Sequence, residues 1–63
     1  MKLKDFIDCM ITTEETLTIR YWDNYHFVEN DFTADEAMEK FADALVLSFY
    51  AKAEHNIWIR VCN

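Results

Sequence analysis

The chain has 63 residues, of which 52% are hydrophobic and 16% aromatic, and its formal net charge is -6. This length allows a single domain over residues 1–63 with a small core, and the apolar content argues against a disordered chain. Twelve acidic against six basic residues disfavour direct contact with nucleic acid or an anionic membrane and favour a partner with a basic surface.

The cysteine content and the apolar pattern predict a cytoplasmic protein. Cys9 and Cys62 are too few for a disulfide scaffold, and we expect both to be reduced thiols. No apolar run at the N-terminus resembles a signal sequence, and the longest apolar stretch, residues 44–51, is far shorter than the roughly 20 residues of a membrane helix. The chain also lacks glycine and proline, so turns that need a positive φ must use Asn or Asp.

The first half of the chain is predicted to form a helix and then a β-hairpin. Apolar residues recur at helical spacing through residues 2–11, namely Leu3, Phe6, Ile7, Met10 and Ile11, and an exit loop follows from Thr12. From Thr16 the period is two, which places Leu17, Ile19 and Tyr21 on one face and Thr18, Arg20 and Trp22 on the other. Asp23 and Asn24 supply the turn, and residues 25–29 form the returning strand, whose register stays open.

The second half repeats this order. Thr33 and Glu36 form a capping box that begins a helix, which is predicted to end near Asp43 or Ala44. Alternation then places Leu45, Leu47, Phe49 and Ala51 inward and Val46, Ser48, Tyr50 and Lys52 outward. After a break at residues 53–56, Ile57, Ile59 and Val61 face inward, opposite Trp58, Arg60 and Cys62. We therefore predict a two-layer α+β fold, αββαββ, with an antiparallel sheet and both helices on one face.

The second predicted helix carries an acidic cluster, and two interpretations of it stay open. Its candidate site residues are Asp35, Glu36, Glu39 and Asp43. The cluster is either a solvated helix surface, with acids near the positive end of the helix dipole, or a carboxylate row that imitates phosphates and occupies a basic groove. Because like charges four residues apart destabilise a helix slightly, helix stability does not explain Asp35, Glu39 and Asp43.

The predicted sheet face opposite the helices is the second candidate site. It gathers Arg20, Trp22, Tyr50, Trp58 and Arg60, together with Lys52. Cross-strand pairing that merely stiffens the sheet explains one pair of such residues, but Trp, Tyr and Arg are also the residues that dominate binding interfaces. We favour an interface with a partner protein or with a second copy. Single-stranded nucleic acid is disfavoured by the acidic net charge.

The sequence predicts no catalytic, metal or cofactor site. Cys9, His26, His55 and Cys62 match no zinc-binding spacing, and no cation neighbours either thiol in sequence to activate it. A two-layer domain of this size also offers little cleft in which carboxylate pKa values could separate. The expectation is a protein that is not an enzyme.

The segment Lys2-Leu3-Lys4-Asp5-Phe6-Ile7-Asp8, followed by Ile19-Arg20-Tyr21-Trp22-Asp23-Asn24, resembles small acidic orphan proteins of phages and prophages. This resemblance covers about the first half of the chain. It implies a mobile-element origin and a role like that of anti-CRISPR inhibitors, in which a small acidic protein binds and inhibits a host nucleic-acid-handling defence protein. The alternative is a homo-oligomeric accessory protein whose aromatic sheet face is a dimer interface.

Overall fold

A computed structural model of the protein describes residues 1–10 and 14–63. Its elements in chain order are α1 (Leu3–Met10), β1 (Thr16–Trp22), β2 (Phe27–Thr33), α2 (Ala34–Phe41), β3 (Leu45–Ala53) and β4 (Asn56–Cys62). The predicted end of the first helix at Ile11 and the start of the exit loop at Thr12 lie outside the described residues.

The four strands form one sheet in the order β2-β1-β4-β3. The two hairpins, β1/β2 and β3/β4, are antiparallel, but they join through a parallel pair in which Leu17 lies opposite Ile57 and Ile19 opposite Ile59. The sheet is therefore mixed, and the predicted αββαββ fold with an antiparallel sheet is wrong.

Helix α2 explains why the central pair is parallel. The helix starts beside Thr33, at the end of the sheet where Thr16 pairs with Asn56, and the chain next pairs at Leu45 with Cys62, at the opposite end. A helix of eight residues is about 12 Å long, and together with the turn at residues 42–44 it carries the chain back over the sheet. Strand β3 therefore runs in the direction of β2, and β4 runs in the direction of β1.

The first hairpin turns at Asp23 and Asn24, where the sequence predicts it. The Asp23 carboxylate accepts hydrogen bonds from the backbone N–H groups of Tyr25 and His26, and Asn24 adopts a positive φ of 86°. The returning strand is longer and later than predicted, since β2 runs from Phe27 to Thr33 rather than through residues 25–29. Its register places Trp22 opposite Phe27.

Helix α2 begins at the predicted capping box. The Glu36 N–H donates to the Thr33 hydroxyl at 3.1 Å, and the Thr33 N–H donates to the Glu36 carboxylate at 2.9 Å. The helix ends at Phe41, earlier than predicted. As a result, Asp43 lies in the turn after the helix rather than on it.

A single apolar core lies between the helices and one face of the sheet. From α1, the ring of Phe6 meets Phe49 of β3 at 4.7 Å, edge to face. From α2, Phe41 contacts Tyr21 at 4.8 Å and Phe32 at 5.4 Å. The largest fully buried side chains are Phe6, Leu3, Leu17, Ile19, Ile59 and Val61. Both helices thus share one face of the sheet, and the other, here called the outer face, has no helix over it among the described residues.

Strand β3 contains a bulge that changes which of its side chains reach the core. Val46 lies opposite Val61, but the next pair is Ser48 with Arg60, so Leu47 is the extra residue. Before the bulge, Leu45 is half-exposed and Val46 packs against the core, which reverses the prediction for both residues. Leu47, also predicted inward, is 54% exposed. After the bulge, Phe49 faces the helices as predicted.

Candidate functional site

The outer face brings the predicted aromatic and basic residues together across three neighbouring strands, β1, β4 and β3. Arg20 of β1 lies beside Arg60 of β4, and Trp58 of β4 lies opposite Tyr50 of β3. Trp22 ends β1 on the same face, since it is two residues beyond Arg20. The five residues chosen from the sequence therefore share one surface.

Contacts link these residues into a continuous row, here called the aromatic path. Trp22 packs edge-on against Phe27 at 5.0 Å, and the Arg20 guanidinium lies over the same Phe27 ring at 5.2 Å. On the other side, Trp58 stacks on Tyr50 at 5.1 Å. The path comprises Trp22, Phe27, Arg20, Glu29, Trp58 and Tyr50.

Glu29 joins the two halves of the aromatic path. Its carboxylate accepts a hydrogen bond from the indole N–H of Trp58 at 3.0 Å and lies 3.8 Å from the Arg20 guanidinium. Since Glu29 is on β2 and Trp58 is on β4, this contact passes over β1. Glu29 and Tyr50 together hold the Trp58 ring in place without a bound partner.

Under the aromatic path, a buried polar network fixes the strands. Thr18 points to the outer face but is only 3% exposed. Its hydroxyl donates to the Asp31 carboxylate at 2.6 Å and accepts from the Asn56 amide at 3.1 Å. A surface with its polar groups already paired loses little conformational entropy on binding.

The sequence interpretation missed Phe27, Glu29 and Asn63. The open register of β2 leaves the face of Phe27 and Glu29 undetermined from sequence; the length of the loop at Asp23 and Asn24 is what places Phe27 opposite Trp22. Asn63 gives no sequence signal. Its side-chain amide accepts from the backbone N–H of Trp22 at 3.1 Å and donates to the Trp22 carbonyl at 3.0 Å, which positions the end of the aromatic path.

Arg60 gives the outer face a positive charge. The positive charge of Arg20 is balanced by the Glu29 carboxylate. Arg60, in contrast, is exposed and makes no ion pair within the described part of the chain. Lys52, also expected on this face, is exposed at a second irregularity of β3, between Ala51 and Ala53. Three of the six basic residues thus lie on the sheet.

The acidic cluster is divided by the structure. All four of its residues are exposed, but Asp43 lies beyond α2, with its carboxylate 3.5 Å from the Lys2 ammonium and 3.8 Å from that of Lys4. The backbone and side-chain hydrogen bonds with Thr33 lower the pKa of the Glu36 carboxyl, so Glu36 serves the helix cap. Only Asp35 and Glu39 remain as a pair four residues apart on α2.

The described residues show no arrangement typical of metal binding, since no three His, Cys, Asp or Glu side chains cluster. Cys9 and Cys62 are free and exposed. His26 lies 3.8 Å from Asp23, and His55 lies 3.9 Å from Glu15 and 3.7 Å from Glu54, all near the surface. These pairs sit in or beside turns and form no cleft with either thiol.

No helix in residues 1–10 or 14–63 is long and apolar enough to cross a membrane. Comparison with known proteins gives no matching family model, curated protein or solved structure.

Proposed function

We propose that this protein is a non-catalytic binding protein that inhibits a partner protein by covering its surface. The observation that carries the proposal is the aromatic path, in which two tryptophans, a tyrosine and an arginine form a pre-ordered, partly exposed row on the outer face. Residues of these types dominate the binding energy of protein interfaces. Cross-strand stiffening accounts for their mutual contacts but not for their exposure.

The net charge of the protein indicates which class of partner it binds. A molecule with net charge -6 is attracted to a basic surface, and its field raises the rate of encounter. Together with the resemblance to mobile-element proteins, this favours a nucleic-acid-handling defence protein of the host cytoplasm as the target. Imitation of phosphates then rests on Asp35 and Glu39, because Glu36 caps α2 and Asp43 is paired with two lysines. These two acids lie on the helical side of the sheet, so direct phosphate imitation requires a partner that also reaches that side.

Charge and aromatic burial play separate roles in this proposal. Exposed acids such as Asp35 and Glu39 mainly affect the association rate and its dependence on salt. Burial of Trp22, Tyr50 and the stem of Arg60 mainly affects the dissociation rate, because interface substitutions act mostly there. The two roles are separable by kinetics.

The test is affinity capture with the whole chain as bait in a lysate of its native host, followed by binding kinetics with the captured protein. Trp22→Ala and Arg60→Ala should each abolish capture or raise the dissociation rate at least about tenfold. Lys40→Ala is the matched control for Arg60→Ala, since Lys40 is an exposed basic residue on α2, on the helical side of the sheet. Capture that survives both outer-face substitutions contradicts the proposal.

A second experiment tests the role of the acidic side chains separately from that of the outer face. The double variant Asp35→Asn, Glu39→Gln should slow association at low salt and leave dissociation unchanged. Equal association rates for the variant and the parent remove phosphate imitation from the proposal. Titration with single-stranded oligothymidine, followed by tryptophan fluorescence, should show no binding; saturable quenching assigns the outer face to nucleic acid instead.

A further inference from the structure

The edge of the sheet at β3 is the largest feature that the aromatic path does not explain. Strand β3 has nine residues and pairs with β4 on one side only. On its other side, pairing within residues 1–10 and 14–63 is confined to its start, where Lys2 bridges to Leu45 and the Val46 N–H donates to the Met1 carbonyl at 2.8 Å. From Leu47 onward this edge is open among the described residues.

This open edge is unusually apolar. Five large apolar side chains on and beside it are between 47% and 62% exposed: Met1, Leu45, Leu47, Phe49 and Tyr50. Met1, Leu47 and Phe49 line a shallow groove with Val46 and Ser48. The exposed area of these five residues sums to about 500 Å² per copy, so a contact between two copies buries at most about 1,000 Å², the area at which specific interfaces begin.

The edge is also the part of the molecule where two like-charged copies can meet. Residues 44–53 contain one charged residue, Lys52, although the whole chain carries -6. The opposite edge, β2, carries Glu29 and Asp31, and pairing it with another β2 would bring carboxylates together. Contact at β3 avoids this repulsion.

We propose that two copies of this chain pair through β3, antiparallel about a twofold axis, so that two four-stranded sheets become one continuous sheet. The regular stretch between the two irregularities, Ser48–Ala51, supplies the backbone hydrogen bonds, and Leu47, Phe49 and Tyr50 supply the apolar contact. The arrangement uses the same surface on both copies and therefore closes at the dimer. Pairing of β3 with the β2 edge of another copy leaves free edges and builds a filament instead.

Apart from Tyr50, which it shares with the aromatic path, this surface differs from the outer face, where the alternative drawn from the sequence places a dimer interface. The proposal does not depend on the partner-binding function. An unprotected apolar edge is a template for uncontrolled strand pairing, and closed self-pairing removes that exposure. A dimer also adds buried area to a domain whose own core is small.

The test is sedimentation equilibrium of the full chain over a range of concentrations. The expected mass is twice the 7.6 kDa of the monomer, with a dissociation constant tighter than about 1 mM. Leu47→Glu should weaken the dimer at least about tenfold, because it places a like charge from each copy at the contact. Its far-UV circular dichroism should match the parent, since Leu47 is a half-exposed bulge residue.

Tyr25→Glu is the matched control, because it adds the same charge at an exposed aromatic in the first turn and should leave the dimer intact. Trp22→Ala should also leave it intact, which separates this surface from the aromatic path. Hydrogen exchange should show concentration-dependent protection of amides within Ser48–Ala51. A monomer at all concentrations, a dimer unchanged by Leu47→Glu, or species larger than a dimer each overturn the proposal.

Discussion

The hydrogen bond between Glu29 and Trp58 provides a direct test of both the mixed sheet and the rigidity of the outer face. It joins β2 to β4 over β1, and it depends on the parallel register that places Trp58 beside Thr18 of β1. We consider a double-mutant cycle of Glu29→Ala and Trp58→Phe. The second change removes the indole donor but keeps an aromatic ring, and the cycle cancels what each single change does alone, including loss of the Arg20 ion pair.

The expected coupling follows from the geometry. The indole nitrogen lies 3.0 Å from the carboxylate oxygen, and a hydrogen bond to a charged group contributes about 1.5–3 kcal/mol when well shielded from water. The Glu29 side chain is 43% exposed, so solvent screening reduces the coupling to about 0.5–1 kcal/mol. This part of the free energy of unfolding should disappear when either partner is replaced.

The assay is urea unfolding of the four proteins at one pH, followed by far-UV circular dichroism, which reports the loss of the helices and strands in each protein. The matched control is the cycle of Glu29→Ala with Trp22→Phe, since the Trp22 ring packs on Phe27 instead. Its coupling should be near zero. A coupling for Glu29 and Trp58 below about 0.2 kcal/mol, or equal to that of the control, refutes the reasoning.

Four further predictions concern stability. Thr33→Ala should lower the free energy of unfolding by about 1 kcal/mol through loss of the helix cap, measured by urea unfolding. Folding lowers the pKa of Glu36, so the ionised Glu36 carboxylate stabilises the folded state fully above its ordinary pKa of 4.5. This stabilisation is lost as the pH falls through the lowered pKa of the folded state. Glu36→Gln should therefore flatten the acid dependence of the melting temperature. Phe6→Ala should cost about 3–5 kcal/mol, enough to populate the unfolded state at room temperature, as circular dichroism will show. Val46→Asp should destabilise the fold strongly whereas Leu45→Asp should not; the reverse ranking in thermal melts contradicts the bulge.

Local chemistry explains the elements that the sequence predicts well. The capping box begins α2 at Thr33 because its hydrogen bonds lie within four residues. The turn at Asp23 and Asn24 is equally local, since Asp23 bonds its own neighbours and Asn24 tolerates a positive φ without glycine. Alternation also places Trp58 correctly on the outer face, because β4 has no register shift within its pairing to β1.

The candidate site was partly predictable for the same reason. A period of two is enough to place Arg20, Trp22, Trp58 and Arg60 on one face once β1 and β4 are strands. The link through Glu29 was not predictable, because it depends on which strands are neighbours. Likewise, the spacing of Asp43 from Glu39 predicts one helix face, but the helix ends at Phe41 and Asp43 pairs with lysines of the N-terminal segment.

By itself, the sequence determined the identity of the helices and strands, the cap of α2, the first turn and the two faces of β1 and β4, since each depends on residues near one another in the chain. Only the tertiary structure decided that β1 and β4 run parallel, because that direction depends on where α2 returns the chain over the sheet. Only the tertiary structure decided the bulge at Leu47, which exchanges the faces of Leu45 and Val46. One extra residue in a strand switches the side chains on one side of it to the opposite face of the sheet. The sequence of β3 carries no signal of where that residue lies, so the bulge is not visible from its apolar pattern.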